Sequence, residues 1–514
     1  MRFLKILLGL LLILAILILS WLVWHFRDRH RGYDASLSVP AQEAGSLKVG
    51  FAAVPISPTV TDVWTDVDGD ARYVPENGDR YEDRNNNGRF DPVWMAGFQN
   101  RRPATGVHDP LWARTMVIDD GRTRIALVSL DVIGFMSDDV IDVRKQLPAV
   151  LGVDYTSISS THTHEGPDLL GMWGSSDYSS GVDKRYLKYV KSQTAQSIAL
   201  AVQGLRRARL RMAQDAEGAA YLVEDTRQPQ VLDPGLRMIQ ALDYESGQTI
   251  GTLVAWANHP ETLWNKNLEI TSDFPHYLRE GIEKGVYIGD SLVRAGLGGI
   301  AVYLNGAIGG LMTTSPEMGI PSIAGDTLYK VPSFDKAAAQ GQQLALLALD
   351  ALEGGEAVEI SEADIRLNVR SIELPIDNEL YQLAAATGLI DRGQVGWMKV
   401  RSEVAYWTLG PASFLHQPGE LYPEIANGGV ATPNGSDFGG LPKESPPIRN
   451  QMEGQFRFII GLSNDMIGYV IPKTQWDVSA PFTYGNGSAP YGEINSLGPE
   501  TAPILYREMQ AVLR

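Results

Sequence analysis

Strand-like apolar runs alternate with helical segments through the middle of the chain, and this alternation constrains the fold more than any other feature. Strands are predicted at residues 125–130, 157–160, 250–256 and 300–304, and helices at 137–150, 186–205, 274–284 and 334–352. Because this order is typical of sheets joined by crossover helices, we predict an α/β fold with a mixed sheet. Beyond residue 355 mainly short strands follow, which indicates an added β-rich part.

An apolar stretch at residues 6–24 is interrupted only by Gly9 and Ser20 and would span roughly 28 Å as a helix, enough for a bilayer core. Aromatic and basic residues follow it instead of a small-residue cleavage site: Trp21, Trp24, Arg27, Arg29 and Arg31. We therefore predict a single-pass N-terminal membrane anchor at residues 1–31 and a linker at 32–46. The body would be extracytoplasmic, either periplasmic or extracellular.

The charge and the absence of cysteine exclude several functions. The net charge is −17, and no part of the chain concentrates basic residues. This argues against a nucleic-acid partner and against a phosphatase or nuclease centre, which would need a basic phosphate clamp. With no cysteine, any metal must be held by His, Asp, Glu, Asn, Tyr or backbone oxygen.

An insertion at residues 62–91 is dense in Asp, Asn and Gly. Part of it resembles the start of an EF-hand loop, because oxygen-bearing side chains alternate and a glycine stands at the sixth position. Trp94 occupies the twelfth position, where the EF-hand has a bidentate Glu, so the loop is incomplete. We predict a structural calcium site; a solvated cluster of turns is the alternative. The predicted ligands are Asp83, Asn85, Asn87 and Asp91.

Three of the eight histidines stand at the ends of predicted strands. His162 and His164 follow one strand, and His259 follows another and precedes Pro260. Residues two apart in an extended chain point to the same face, so both imidazoles of the first pair can address one centre. Two strand ends of one sheet can bring His259 to the same place. The alternative is that a histidine before proline is only a hydrogen-bonded turn residue.

Five short segments follow one another along the chain. They are Gly-Val-His at 106–108, Thr-His-Thr-His-Glu-Gly-Pro at 161–167, Trp-Ala-Asn-His-Pro at 256–260, Pro-Gly-Glu at 418–420, and Gly-Leu-Ser-Asn at 461–464 followed by Tyr469. The same segments occur in this order in the neutral/alkaline, non-lysosomal ceramidases, and the chain resembles this family from about residue 47 to its C-terminus.

The resemblance implies a zinc site and an assignment of roles. The implied zinc ligands are His162, His259, Glu420 and Tyr469. An α/β catalytic domain would occupy residues 47–355, and the β-rich part at 356–514 would complete the metal site. Catalytic roles are implied for His164, Arg227 and Tyr469, and substrate contacts for Gly97, His164, Arg227 and Tyr491.

The implied activity is a zinc-dependent amidohydrolase of sphingolipid metabolism. It would cleave the N-acyl amide bond of ceramide or a related lipid by zinc-activated water. Met312 stands where the family carries a catalytic serine, and a thioether can neither donate a hydrogen bond nor take a proton. Two alternatives therefore stay open: a zinc hydrolase for another amide or ester, and a non-catalytic metal-binding homologue.

Overall fold

Two large sheets form the body of the protein, whose computed structural model describes residues 2–514. In chain order their strands are β1 (Leu37–Val39), β2 (Lys48–Pro55), β3 (Trp112–Asp119), β4 (Arg124–Leu130), β5 (Tyr155–Ser160), β6 (Arg206–Asp215), β7 (Leu236–Asp243), β8 (Thr249–Trp256), β9 (Ile300–Asn305), β10 (Val358–Ile360), β11 (Ile365–Pro375), β12 (Lys399–Leu409), β13 (Ala412–His416) and β14 (Phe456–Ile460). Pairs of shorter strands lie outside these sheets.

The α-helices of residues 2–514 are α1 (Arg2–His25), α2 (Ser137–Gln146), α3 (Lys184–Gln203), α4 (Phe274–Lys284), α5 (Phe334–Glu353), α6 (Glu379–Thr387), α7 (Pro423–Asn427), α8 (Ile448–Gln451), α9 (Tyr491–Ile494) and α10 (Thr501–Val512). Every strand and helix predicted between residues 125 and 352 is present, with bounds that differ by a few residues. The prediction of a mixed α/β fold is confirmed.

The larger sheet has the order β9-β8-β7-β6-β2-β3-β4-β5, with β10 paired to β6. It is mixed, because β8–β9 and β4–β5 are parallel and the other pairs are antiparallel. Strand β6 joins its two halves and pairs with β2 only at Arg206 and Arg207. The sheet bends there, and the side-chain amide of Asn305 at the end of β9 donates to the carbonyl of Thr161 just after β5, at 2.9 Å. The two edge strands therefore end side by side.

The second sheet has the order β1-β11-β12-β13-β14 and packs face to face on the first. Trp407, Phe414 and Phe458 stack in the shared core, with ring centroids 3.9 and 4.5 Å apart. Alternate residues of β12, such as Tyr406, point to the other face, which α10 covers. Helices α3, α4 and α5 cover the outer face of the larger sheet. The result is four layers, with helices outside and two sheets inside.

Helix α1 is long and apolar enough to cross a membrane, and none of its residues is buried. The segment after it is attached to the body. Asp28 pairs with Arg401 at 2.7 Å, and strand β1, within the predicted linker, pairs with β11. Contacts from both the predicted anchor and the predicted linker therefore hold α1 in its orientation relative to the body.

Candidate metal centre

His162 and His259 lie where the bent sheet brings β5 and β8 together. The Asn305 amide donates to the carbonyls of Thr161 and Asn258, both at 2.9 Å, and so joins the residues that immediately precede the two histidines. His162 has a φ of +69°, a left-handed conformation that a side chain rarely adopts and that is concentrated at functional sites. The predicted convergence of the imidazoles is present, but it arises from this turn and not from an extended chain. The rings of His162 and His259 are 5.0 Å apart.

Glu420 and Tyr469 approach the same point on a separate two-stranded ladder. Strands Glu420–Leu421 and Tyr469–Val470 are parallel and place these two residues directly opposite each other. The Glu420 carboxylate lies 3.1 Å from His259 Nε2 and 3.8 Å from His162 Nε2. The Tyr469 hydroxyl is 3.4 Å from His259 Nε2. The structure thus brings together all four residues predicted as zinc ligands.

Backbone carbonyls orient both imidazoles. Nδ1 of His162 is 2.5 Å from the carbonyl of Ile133, and Nδ1 of His259 is 2.7 Å from that of Met312. Each Nδ1 therefore carries the proton, and each Nε2 lone pair faces the centre, an arrangement common to metal-binding histidines. Burial lowers the pKa of His162 to about 3, so this ring is neutral at physiological pH.

A cation is also favoured by the charge of Glu420. Burial alone would lower the pKa of His259, but the Glu420 carboxylate, the charge of Glu261 and the Met312 carbonyl together outweigh burial and raise that pKa. A carboxylate that favours a proton on His259 favours a metal ion at the same place. Imidazole nitrogen, carboxylate and phenol oxygen are donors that suit a divalent ion.

His164 completes a group of three histidines that could hold a metal ion. One ring nitrogen from each of His162, His164 and His259 lies within 4.8 Å of the others. Nδ1 of His164 is 3.1 Å from a Glu261 oxygen but is not aligned for a hydrogen bond, so both ring nitrogens are buried without a partner. The geometry therefore offers two sets of metal-binding residues that share His162 and His259. His164 completes one set, and Glu420 and Tyr469 complete the other.

Glu261 was not predicted as a site residue. It is buried two positions after His259 and accepts a hydrogen bond from Thr313 at 2.5 Å. Burial alone would raise its pKa, but His164 and His259 lower it to about 2. Its carboxylate is therefore charged beside His164. The only sequence signal was its position directly after the motif at 256–260.

A pocket leads to this centre. His162 and Glu420 lie at its buried end, and most of the other lining residues are apolar, including Leu170, Trp173, Ile376, Ile390 and Val400. The predicted substrate contacts Gly97, His164 and Tyr491 also line it. Such a pocket suits a ligand with a long apolar part and one polar group at its inner end.

Gly97 packs against His164 more closely than any other residue type would allow. It has a φ of +101°, and a Cβ at this position would lie 2.5 Å from Cβ and Cγ of His164. Only glycine accommodates both the backbone conformation and this approach. Gly97 therefore determines where the His164 ring stands.

Arg227 does not enter this pocket. Its guanidinium pairs with the buried Glu424 and lies 4.2 Å above the ring of Tyr422. It lines a neighbouring cavity whose wall shares Tyr491 with the histidine pocket. Its catalytic role stays a prediction, and substrate could reach it only around Tyr491.

Met312 acts on the centre through its backbone. Its side chain is fully buried in the core under α4 and α5. Its carbonyl accepts from both the backbone N–H and Nδ1 of His259. Any residue at this position can supply that carbonyl, so the orientation of His259 does not depend on the side chain at position 312.

The acidic insertion is held together by its own hydrogen bonds. Buried Asp62 accepts from the backbone N–H groups of Arg84 and Asp91, at 3.1 and 2.8 Å. Asp83 accepts from Asn87 and Gly88, and the Asn85 and Asn87 amides donate to Asp91. A second oxygen group is formed by Asp66, Asp68 and Asp79. Calcium at the four predicted residues stays a prediction.

Fold and site together define an α/β protein with a candidate metal centre at the base of an apolar pocket. Residues 87–289 match the profile of the family described as neutral/alkaline non-lysosomal ceramidase, N-terminal. No curated protein sequence matches the chain. Among solved structures, the neutral ceramidase from Pseudomonas aeruginosa is similar at 15% identity and a TM-score of 0.62, covering 92% of this chain and 74% of that one. A ceramidase complexed with C2 is similar at 15% identity and a TM-score of 0.61, covering 91% and 75%.

The predicted resemblance to the neutral/alkaline ceramidases is confirmed. The sequence match covers residues 87–289, which carry three of the five motifs, and the likeness in fold extends over nearly the whole chain. The sequence match supports a hydrolase of the ceramidase type, and the two solved structures show that the fold is shared.

Proposed function

We propose that the protein is a zinc-dependent hydrolase that cleaves the N-acyl amide bond of ceramide or a related lipid. The observation that carries the proposal is the position of four convergent donors at the inner end of an apolar pocket. His162, His259, Glu420 and Tyr469 would hold the ion. A bound zinc ion would supply a Lewis acid that polarises the amide carbonyl and activates water.

The chain's own residues bind and orient the substrate in this proposal. The apolar wall takes the acyl chain and excludes bulk water from the buried end. His164, whose ring nitrogens have no hydrogen-bond partner within the protein, would form a hydrogen bond with the reacting amide. The carboxylate of Glu261, 3.1 Å from Nδ1, places a negative charge beside this ring. Tyr491 would form the outer wall.

Metal analysis combined with one substitution tests the proposal. The purified protein is expected to bind about one equivalent of zinc, and His162→Ala is expected to lose both the zinc and the hydrolysis of N-acyl lipids, because it removes one of the four proposed ligands. His276→Ala is the matched control, because it removes an imidazole on α4 that does not line the pocket. Undiminished hydrolysis by His162→Ala would refute the proposal.

Two further results would favour the alternatives. Cleavage of esters or short amides but not of N-acyl sphingoid lipids would identify another zinc hydrolase. Zinc binding without hydrolysis of any acyl substrate would identify a non-catalytic homologue, consistent with Met312 at the family serine position.

We also propose that α1 anchors the protein, with the body on the extracytoplasmic side. Its length and composition support a span, and the aromatic and basic residues at its end support retention over cleavage. Protease added to intact cells or spheroplasts should digest the body, and a body that resists digestion there would place it in the cytoplasm. Calcium at Asp83, Asn85, Asn87 and Asp91 would fix the insertion that precedes Gly97.

A further inference from the structure

Helix α6 carries apolar residues on two opposite faces, and the body covers only one of them. Tyr381 and Ala385, one turn apart, line the histidine pocket. Leu380 and Leu383 point away from it and are 61% and 57% exposed. Trp397, after the same helix, is 74% exposed. We call these three exposed residues the α6 surface. Large apolar side chains exposed together mark a surface that contacts something other than water.

The end of α1 is attached to this same helix. The indole N–H of Trp21 donates to the carbonyl of Ala386 at 2.9 Å. The His25 ring lies against Gly388, where a Cβ would be 2.5 Å from it. Arg29 donates to the carbonyl of Asp391 at 2.7 Å. Helix α6 therefore lies beside the last turns of the most apolar helix of the chain.

The attachment sets the depth of α6. Trp21 lies four residues before the end of α1, which is about 6 Å along the helix axis. Tryptophans are enriched at the membrane interface, where apolar faces reach roughly 5–10 Å below the headgroups. Trp397 lies at a similar depth, because its ring is 5.4 Å from that of Phe26, the residue after α1. A bilayer that contains α1 would thus meet the α6 surface.

The pocket opens on this side. Lining residues near the metal centre, such as His162 and Glu420, are buried, whereas Tyr381, Ile390 and Tyr491 keep part of their surface exposed. The outer end of the pocket is therefore bordered by α6 and the turn after it. A lipid leaving the bilayer beside α6 would enter with its apolar chains surrounded by apolar residues.

We propose that Leu380, Leu383 and Trp397 insert into the membrane leaflet in which α1 ends, and that the pocket takes its lipid directly from that leaflet. The occupant of the α6 surface is the bilayer itself. The insertion rests on the contacts of α1 and α6, while the identity of the lipid as an N-acyl amide rests on the proposed function.

Fluorescence quenching tests the insertion without using activity. The chain has no cysteine, so Leu383→Cys in the full-length protein accepts one bimane label. In vesicles of phosphatidylcholine and phosphatidylglycerol that contain spin-labelled lipid, we expect this label to be quenched. The control is Glu245→Cys, in the exposed turn before β8. The length of β8, about 26 Å, separates this turn from the end of the sheet that carries the histidines. Equal, weak quenching at both positions would overturn the proposal. It would show that residue 383 contacts water or a second copy of the chain, and not the bilayer.

A double substitution tests the delivery of substrate. Leu380→Asp with Leu383→Asp should lower hydrolysis of an N-acyl lipid in vesicles at least about tenfold, because the transfer of two exposed leucines from water into a bilayer changes binding by more than that factor. Hydrolysis of a water-soluble, short-chain N-acyl substrate should not change, since neither leucine lines the pocket. An equal loss on both substrates would overturn the proposal. A wild-type protein that cleaves neither substrate while residue 383 is quenched would refute the proposed function and leave the insertion standing.

Discussion

The contact between Gly97 and His164 allows one substitution to separate catalysis from metal binding. In Gly97→Ala the new Cβ would lie 2.5 Å from Cβ and Cγ of His164, whereas carbon atoms in contact stay about 3.5 Å apart or more. The imidazole must therefore move by about 1 Å. A displacement of this size lowers the rate about 100-fold when the displaced group orients the substrate. We expect kcat to fall by that factor.

The zinc content of Gly97→Ala should stay that of the wild type, because the three atoms nearest the new Cβ all belong to His164, which is not one of the four proposed ligands. The free energy of unfolding should fall by about 2–3 kcal/mol, from the positive φ and the overpacking. Gly121→Ala is the matched control: its φ is +91° and nothing lies within 4 Å of the new Cβ, so it carries the backbone strain alone. Loss of zinc in Gly97→Ala would show that His164 is a ligand and refute the reasoning, and so would unchanged kcat.

Three further substitutions probe the scaffold. Arg279→Leu should lower the free energy of unfolding in urea by about 3–5 kcal/mol, because it leaves the buried carboxylate of Asp131, now 2.8 Å away, without its partner. Burial lowers the pKa of Lys336 from its ordinary 10.5 to about 8, so the unfolded chain binds more protons between these values and the wild type should gain stability as pH rises from 8 to 10.5. Lys336→Met should lose that part of the pH dependence. Met312→Ser should lower the free energy of unfolding by about 3 kcal/mol and leave the zinc content unchanged, because the buried thioether is lost and the carbonyl remains.

Each of these has a control and a contrary result. Arg185→Leu removes an exposed ion pair and should cost less than about 1 kcal/mol; an equal effect of the two arginine substitutions would contradict the argument from burial. Identical stability profiles of the wild type and Lys336→Met from pH 8 to 10.5 would place that amine in water. Loss of zinc in Met312→Ser would show that the side chain, and not the carbonyl, supports His259.

Periodicity predicted the parts of the fold that local sequence determines. Helix α4 has the bounds that were predicted, and local residues account for them: an Asp precedes it, Pro275 stands in its first turn and Gly285 follows it. The bend of the larger sheet could not be predicted in this way. It brings the Asn305 amide to two carbonyls that lie far from it along the chain. No local pattern signals such a contact.

In the site, too, local sequence indicated some residues and only the fold or the family resemblance indicated the others. His162 and His259 stand at strand ends, which the sequence makes visible. Glu420 and Tyr469 lie on two-residue strands without periodicity, so only the family resemblance indicated them. Glu261 was missed because a buried carboxylate beside an imidazole is recognised only when the fold brings the two together.

The ladder that carries Glu420 and Tyr469 also determines when the centre can form during biosynthesis. Helix α1 leaves the ribosome before the two histidine turns, and these turns leave it long before the ladder. The donor set that includes the ladder stays incomplete until translation has passed Tyr469 and the second sheet has folded onto the first. A chain inserted by α1 would have moved its body to the destination side of the membrane by then. Metal loading would consequently draw on the ions of the compartment in which the body folds, and not on those at the site of synthesis.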